Sequence, residues 1–540
     1  MYSIAKTDSK LDCLVVGHYE MGFASHEMML RSKGTEKGDY RNLRMDYITL
    51  DGVKMSYMDV LNHLSGEHFH WTEMPQVAPV YLCSYLLRRG LKAEFASFYK
   101  PRKDELDGFL RETRAVAITT TLYTNPIIAK GVVSYAKEVN PEAHIIIGGP
   151  LVDNLHYHLT DGSFRYTLEY IGADTYVLER TGEQTLANLL QCLKSKDNLS
   201  KVRNCYIRMD KKFVFTGQKL EENSLDEDPI HWDFFAHKSL GPTIQTRTAL
   251  GCPFRCTFCD YPVRAGQYLT QGIGIVEQEL KQIQARQNVA NMVFIDDTFN
   301  VPLNRFKDIL RMMIRNQFTF RWYSYLRCNV VDEELAELMR NSGCAGVFLG
   351  IESGDAGVLR NMKKMATPEQ YSRGIEQLNK AGIVSFASLI MGFPGETEES
   401  VANTIDLINS TKPTFFRGEM WFYNHRSPIH NERERLGMEG NGYEWRHKTM
   451  DWEQACNMVE SLFSKVSGST WLPMYDMDFW VLPYLRGKGL SFDQIQTFVS
   501  LCGELLSEEL GVDKGHRGDR PDLEYQLQSF CQNLTVNQSA

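Results

Sequence analysis

The chain has 540 residues, a mass of 62.0 kDa, 43% hydrophobic and 24% charged residues. This is the make-up of a globular protein too long for one core, so two or three domains are expected. A net charge of -9 argues against bulk electrostatic binding of nucleic acid. No apolar run approaches the roughly 18 residues of a membrane span, and "MYSIAKTDSK" lacks the basic-then-apolar build of a secretion signal. A cytoplasmic protein with no membrane partner is therefore expected.

In chain order, five stretches have strand length and β-branched or aromatic content: Leu11 to Gly17, Lys92 to Tyr99, Ala115 to Thr121, His144 to Gly149 and Ala173 to Leu178. Between them, Pro79 to Arg89, Lys103 to Glu112, Pro126 to Val139 and Glu183 to Lys194 suit amphipathic helices. This alternation predicts an open parallel sheet with helices on both faces over residues 1–215, binding ligands outside the carboxyl ends of its strands. Residues 18–76 are long for one strand-to-helix connection and read as a functional insertion. The charge-rich "LEENSLDEDPIHWDFF" marks a linker, placed at 216–240. A second alternation follows over 241–430, with strands at Thr243 to Ala249, Asn291 to Phe299, Phe320 to Arg327, Ala345 to Ser353, Val384 to Phe393 and Thr414 to Tyr423. Helices are expected at 275–286, 303–315, 332–341, 368–381 and 398–410. Six such repeats predict a partial (β/α)6 barrel with its active site at the carboxyl ends of the strands. The remaining 431–540 should form a smaller, mostly helical C-terminal region.

Twelve cysteines are too sparse for a disulfide scaffold, and nine of them lie singly among apolar neighbours as small buried hydrophobes. The other three, Cys252, Cys256 and Cys259, stand as C-x3-C-x2-C in "GCPFRCTFCDYP", just past the first barrel strand. A structural zinc wants four donors in two pairs, and no second pair or suitably spaced histidine follows. A four-iron four-sulfur cluster on three thiolates leaves one iron open to a ligand.

"CPFRCTFC", with Phe258 before the third cysteine, resembles the signature of radical S-adenosylmethionine enzymes. The resemblance implies a 4Fe-4S cluster on the three cysteines and S-adenosylmethionine chelated by the open iron, cleaved to a 5'-deoxyadenosyl radical. It also implies that strand-end residues meet the cofactor's polar groups: Asp296 and Asp297 after the second strand, Arg327 after the third, Glu352 after the fourth, and Gly395 in "MGFPGET" after the fifth.

The sheet ahead of the barrel resembles the cobalamin-binding domain of a large subgroup of that family. The features carried over are Thr119, Thr120 and Thr121 in "ITTTLY", Gly148 and Gly149 in "IIIGGP", and Gly182 with Glu183 opening the last helix. A D-x-H-x-x-G motif is absent, so the resemblance implies cobalamin bound with its base displaced and no histidine on cobalt. His18, in "VVGHYEMG", reads as a loop residue.

Along most of its length the chain resembles PhpK-type cobalamin-dependent radical S-adenosylmethionine methyltransferases, through "KMSYMDVLNH", "QTRTALGCPFRCTFC", "GVFLGIESGD" and "FASLIMGFPGETEE". This implies methyl transfer to a non-nucleophilic phosphorus (phosphinate) or carbon centre of a small molecule or peptide in natural-product biosynthesis. An electron donor such as flavodoxin or ferredoxin would reduce the cluster. A cyclisation or rearrangement with the same cofactors is the alternative, and a cobalamin sensor without chemistry a third. Tyr423, His425, Arg426 and His430, with Arg417, stand around the sixth strand and could meet an anionic substrate.

Overall fold

The computed structural model describes residues 10–19, 21–98, 103–121, 123, 125–210, 212–512 and 520–534. The chain forms two compact units. The first comprises Met1–Met21, Thr72–Leu240 and Gln278–Arg286, the second Gly22–Trp71, Gly241–Glu277 and Gln287–Ala540. These units cut the chain differently from the spans read in the sequence, because Gly22–Trp71 groups with the second unit.

The first unit is built on a seven-stranded sheet: β1 (Cys13–Tyr19), β2 (Ala93–Phe98), β3 (Ala115–Thr119), β4 (His144–Gly148), β5 (Thr175–Val177), β6 (Cys205–Met209) and β7 (Lys212–Phe215). Its order is β2-β1-β3-β4-β5-β6-β7. The first five strands are parallel, and β6 and β7 add an antiparallel edge that the sequence reading did not include. In this order the chain switches direction of winding between β1 and β3, the point where doubly wound sheets leave a crevice. Helices Val77–Arg88, Lys103–Glu112, Pro126–Val139 and Glu183–Ser195 lie where expected, and Pro150–His158 and Asp161–Ile171 fill the β4–β5 connection. Leu14, Val116, Ile118, Ile145 and Ile147 belong to one core beneath Ala129, Val132, Val133 and Leu168. The stretch expected as a linker is docked on this unit: Arg88 and Arg89 reach Asp228 at 2.9 and 3.0 Å, and Trp232 is fully buried.

The second unit is built on β8 (Thr243–Thr246), β9 (Asn291–Phe294), β10 (Arg321–Leu326), β11 (Cys344–Glu352), β12 (Val384–Met391), β13 (Phe415–Met420) and β14 (Thr470–Trp471). They pair in sequential order and all in parallel, as a partial barrel needs. Helices Ile273–Ala285, Leu303–Arg315, Glu333–Asn341, Pro368–Lys380 and Glu398–Thr411 connect the first six strands. Their starts are locally encoded: Thr367 with Gln370 and Thr397 with Ser400 form reciprocal capping boxes that satisfy free helix N–H groups. The C-terminal part is mostly helical, with Trp452–Lys465, Val481–Gly487, Phe492–Glu509 and Arg520–Gln532, plus a small three-stranded sheet at Glu439–Asp451.

The inserted segment adds helices Phe23–Arg31, Gly38–Leu43 and Tyr57–Ser65 and a hairpin to the barrel unit. Its anchor is Asp46, which takes fully buried Arg417 of β13 at 3.0 Å. Glu419 takes the same guanidinium at 2.5 Å, and the plane lies 4.5 Å over Trp471. Arg417 is thus closed inside this network, which removes it from the candidate anion-binding residues.

Candidate active site

The three cysteines occupy an irregular loop following β8, entered through Gly251, whose φ of +84° suits glycine. The loop is pinned from two sides. Thr257 N–H and hydroxyl donate to the carbonyls of Met362 and Asn361 at 2.9 and 2.8 Å. The Ile429 N–H donates to the Thr257 carbonyl at 2.9 Å, and the Ser427 hydroxyl to the Phe258 carbonyl at 2.9 Å. Burial, and after it Asp260 and the two neighbouring cysteines, push the Cys259 thiol up to about 12 against a backbone hydrogen bond from Tyr261. Cys259 therefore lies within electrostatic reach of both other thiols. Burial also raises Cys256, while Lys364 and Arg327 beside it favour the thiolate.

Among the described residues, no three His, Cys, Asp or Glu side chains are arranged as ligands of one metal ion. A lone zinc needs its donors around one point, whereas each thiolate of a four-iron cluster binds a separate iron. The loop supplies the three thiols that such a cluster takes, one for each of three irons.

Glu352 closes β11 in a left-handed conformation, φ +65°, unusual for a residue with a side chain, and is 8% exposed. Its carboxylate accepts from the Lys364 ammonium at 2.7 Å. Lys364 is 6% exposed and sits between two further left-handed residues, Lys363 at φ +50° and Met365 at φ +55°. Its carbonyl accepts from the Arg327 guanidinium, its ammonium lies 5.7 Å from the Phe258 ring centroid, and Arg327 covers Phe254 at 3.9 Å. Gly350 makes room for the pair: a Cβ there would stand 2.6 Å from Glu352 Oε1 and 3.0 Å from Lys364 Nζ.

The two aspartates after β9 divide. Asp296 is buried and accepts from Thr248 N–H and hydroxyl at 2.6 Å each and from Ala249 N–H at 2.9 Å. It is a clamp on the entry to the cysteine loop, with most of its acceptor capacity taken by that loop. Asp297 is exposed to solvent yet ringed by protein, and desolvation pushes its carboxyl up to about 7 against a hydrogen bond from Tyr261. A side chain at once accessible and desolvated lies in a recess. After β12, Glu396 accepts from the Gly392 N–H and closes the "GFPGE" turn, with Gly395 at φ +99°. The Gly395 N–H donates to Thr449 at 3.1 Å.

In the first unit, Thr119 to Thr121 and Gly148 with Gly149 stand at the carboxyl ends of β3 and β4, and Glu183 opens the helix that follows β5. Thr120 is fully buried; its hydroxyl donates to the Gly148 carbonyl at 2.8 Å and accepts from Leu151 N–H at 3.1 Å. Thr119 is half-buried with its hydroxyl on Val16, and Thr121 is exposed. Gly149 has φ +101°, and a Cβ there would stand 3.0 Å from the Thr120 hydroxyl. Glu183 is buried and bound to Asn223 at 2.7 Å, while Glu221 caps the helix by accepting from Gln184 and Thr185 N–H at 2.9 and 2.8 Å. Thr119, Thr121 and the β3 and β4 termini remain accessible to a cofactor, whereas Thr120, Glu183 and this helix N-terminus are engaged within the protein. The side chain of His18 lies outside the described residues.

Residues 247–408 match the radical SAM superfamily model. This radical SAM domain carries the cysteine loop, Asp297, Arg327, Glu352 and Lys364. The chain is 28% identical over 295 residues to an uncharacterized methyltransferase, PH0819, of Pyrococcus horikoshii, covering 54% of this chain and 62% of that one. It is 25% identical over 320 residues to the anaerobic magnesium-protoporphyrin IX monomethyl ester cyclase of Rubrivivax gelatinosus, covering 56% and 55%. With the tryptophan 2-C-methyltransferase of Streptomyces laurentii it shares 28% identity over 174 residues, 29% of each chain. The matches thus span less than two thirds of these relatives.

In fold, the chain is similar to the radical S-adenosylmethionine methyltransferase TsrM of Kitasatospora setae, solved with cobalamin and a [4Fe-4S] cluster. The TM-score is 0.58 at 15% identity, covering 97% of this chain and 98% of that one. The cobalamin-dependent enzyme OxsB, solved with aqua-cobalamin and S-adenosylmethionine, gives 0.51 at 14% identity over 82% and 60%. The likeness covers an α/β unit ahead of the radical SAM domain and the C-terminal region.

Sequence reasoning missed Lys364. In "NMKKMAT" it reads as one of two surface lysines; only the two left-handed neighbours that turn it inward mark it.

Proposed function

We propose that the protein is a cobalamin-dependent radical S-adenosylmethionine methyltransferase acting on a non-nucleophilic carbon or phosphinate phosphorus, of the PhpK type. One observation carries the reading: a three-cysteine loop follows the first strand of a parallel partial barrel, in a chain that also carries a doubly wound sheet and whose fold likeness to TsrM runs over 97% of its length. In functional terms the spans are 1–215 for cobalamin, 216–240 as linker, 241–430 for the radical domain and 431–540 as the C-terminal region.

Cys252, Cys256 and Cys259 would hold the cluster, whose open iron with S-adenosylmethionine supplies a 5'-deoxyadenosyl radical while cobalamin supplies a methyl group. Glu352, Arg327, Asp297 and Phe258 stand on the loop and strand ends where the polar groups of S-adenosylmethionine would be received. Glu352 is pre-oriented by Lys364, and Asp297 offers a proton-exchanging carboxyl in its recess. The β3 and β4 termini, with Thr119, Thr121, Gly148 and Gly149, form the wall of the crevice that would take cobalamin. An electron donor such as flavodoxin or ferredoxin is the proposed partner.

The resemblance to the magnesium-protoporphyrin cyclase keeps ring formation as a second reading. Product stoichiometry separates the two. Anaerobically reconstituted protein given candidate substrates should form S-adenosylhomocysteine, 5'-deoxyadenosine and a product heavier by one methyl group together. Ring formation without S-adenosylhomocysteine would favour the cyclase, and one zinc with no iron per chain would overturn both.

A further inference from the structure

Past β13, the chain turns through residues 423–433 and builds a cluster that none of the assigned site residues uses. The Tyr423 hydroxyl and His430 Nδ1 are 2.7 Å apart. The rings of His425 and His430 stack with centroids 4.5 Å apart at 26°. His425 Nε2 donates to the Gly440 carbonyl at 2.9 Å, which fixes a proton on that nitrogen. Both imidazoles are half-buried, so each keeps a ring edge toward solvent.

The cluster is fastened to the cysteine loop. Asn424 donates to Asp260 at 3.1 Å, alongside the Ser427 and Ile429 hydrogen bonds to Phe258 and Thr257. It therefore sits on the carboxyl-end face of the barrel, where such folds bind substrate.

Its electrostatics are one-sided. Burial, and after it His425 and Arg433, lower the basicity of His430, and Arg433 also acts on Tyr423. Of the nearby carboxylates, Asp260 pairs with Arg264 at 2.9 Å, Glu432 with Arg435 and Glu439 with Arg446 at 2.5 Å, while Glu434, largely in solvent, lies 3.7 Å from Arg433 itself. A stacked histidine pair beside an arginine, with no carboxylate paired to either imidazole among the described residues, is complementary to an anion.

We infer that His425 and His430, backed by Tyr423 and Arg433, form an oxyanion subsite that orients an acidic group of the substrate beside the cysteine loop. In this arrangement the Tyr423 hydroxyl donates to His430 Nδ1, leaving the Nε2–H of His430 to donate to the anion. His425, whose Nε2–H is held by Gly440, stacks on that ring and fixes its orientation. The ligand chemistry is a small monoanionic or dianionic oxyanion, supplied by a phosphorus acid or a carboxylic acid. The inference rests on the proposed function for the use of that face, but not for the binding itself.

The test is isothermal titration of the full-length reconstituted protein with methylphosphinate, inorganic phosphate and acetate. One saturable site is expected. Phosphorus oxyanions binding more tightly than acetate would identify a phosphorus acid as the source, and the reverse order a carboxylic acid. The double variant His425→Asn/His430→Gln should weaken binding about tenfold or more, the loss of one charge-assisted hydrogen bond. Tyr423→Phe, which keeps the ring and the fold, should weaken it less. No saturable binding of any of the three anions, or equal affinity in both variants, would overturn the subsite. Binding that persists without any methylated product overturns only the proposed function, whereas turnover with an unchanged substrate KM in both variants overturns only the subsite.

Discussion

Lys364→Met is the most informative single change. The Glu352 and Lys364 side chains are 10% and 8% exposed, so the pair is held largely out of water. Removing the ammonium leaves the carboxylate buried without its partner, which typically costs about 3–5 kcal/mol. Glu352 and both residues flanking Lys364 have positive φ, so the strand end is also held in a conformation each side chain disfavours. Most of the loss should therefore appear as local opening of the β11 end and the 361–365 turn. Amide hydrogen exchange reads this directly, without assuming that two units unfold as one. Protection at Ser353 and Lys364 in the cluster-free protein should fall by about a hundredfold or more. Adding Glu352→Gln should recover most of that loss, because the unpaired charge is gone, with a coupling of about 2–3 kcal/mol. Unchanged protection in Lys364→Met, or a double variant no better than the single, would show that the ion pair does not hold this strand end.

Cys252→Ala, Cys256→Ala and Cys259→Ala should each abolish the absorbance of a reconstituted iron-sulfur cluster, while Cys344→Ala, in the strand core, should leave it intact; iron retained in any loop variant would remove that cysteine from the ligand set. Gly149→Ala places a Cβ at φ +101° and 3.0 Å from the Thr120 hydroxyl, so thermal unfolding of the first unit should show a loss of about 1–3 kcal/mol, even without cobalamin. Arg417→Met leaves Asp46 and Glu419 facing each other and should loosen helix Gly38–Leu43 in hydrogen exchange, whereas undisturbed protection there would mean Asp46 does not anchor the insertion. Burial pushes the Glu396 carboxyl up to about 8 from 4.5. Between these values the folded state holds a proton that the unfolded chain has released, so stability should fall as pH rises across the window, by a few kcal/mol in order of magnitude. Glu396→Gln should flatten that slope in pH-dependent melts, and an unchanged slope would exclude Glu396 as its source.

What the sequence made legible was whatever is encoded within a few residues. The barrel strands announce themselves as apolar runs between capped helices: each observed strand starts within a residue of the expected start, while the expected ends overrun by up to five residues, as at Phe299 against Phe294. The cysteine spacing is equally local. Side-chain direction was only partly read. Three consecutive threonines at a strand end cannot share one face, because successive side chains alternate. Thr120 accordingly points inward to Gly148 and Leu151, while Thr121 is exposed. The alternation was available in "ITTT", and only Thr119 and Thr121 needed to be considered for contact with a ligand.

The remaining errors come from partners that are distant along the chain. Arg417 looked like a substrate cation because nothing near it in sequence, apart from Glu419, offers a negative charge. Its second carboxylate is Asp46, 371 positions earlier, in the segment expected to belong to the other half of the protein. The same remoteness hid the role of that segment. A long insertion between a strand and a helix says that something is built there, but which core receives it depends on the charge it carries to its destination. A buried arginine on β13 would be unaffordable without Asp46, so the insertion and the sixth barrel strand constrain each other. The histidines past that strand are the contrasting case. Among the described residues they have no such remote carboxylate, and it is this difference between two basic positions in one stretch of chain that separates a structural cation from the pair inferred to meet a ligand.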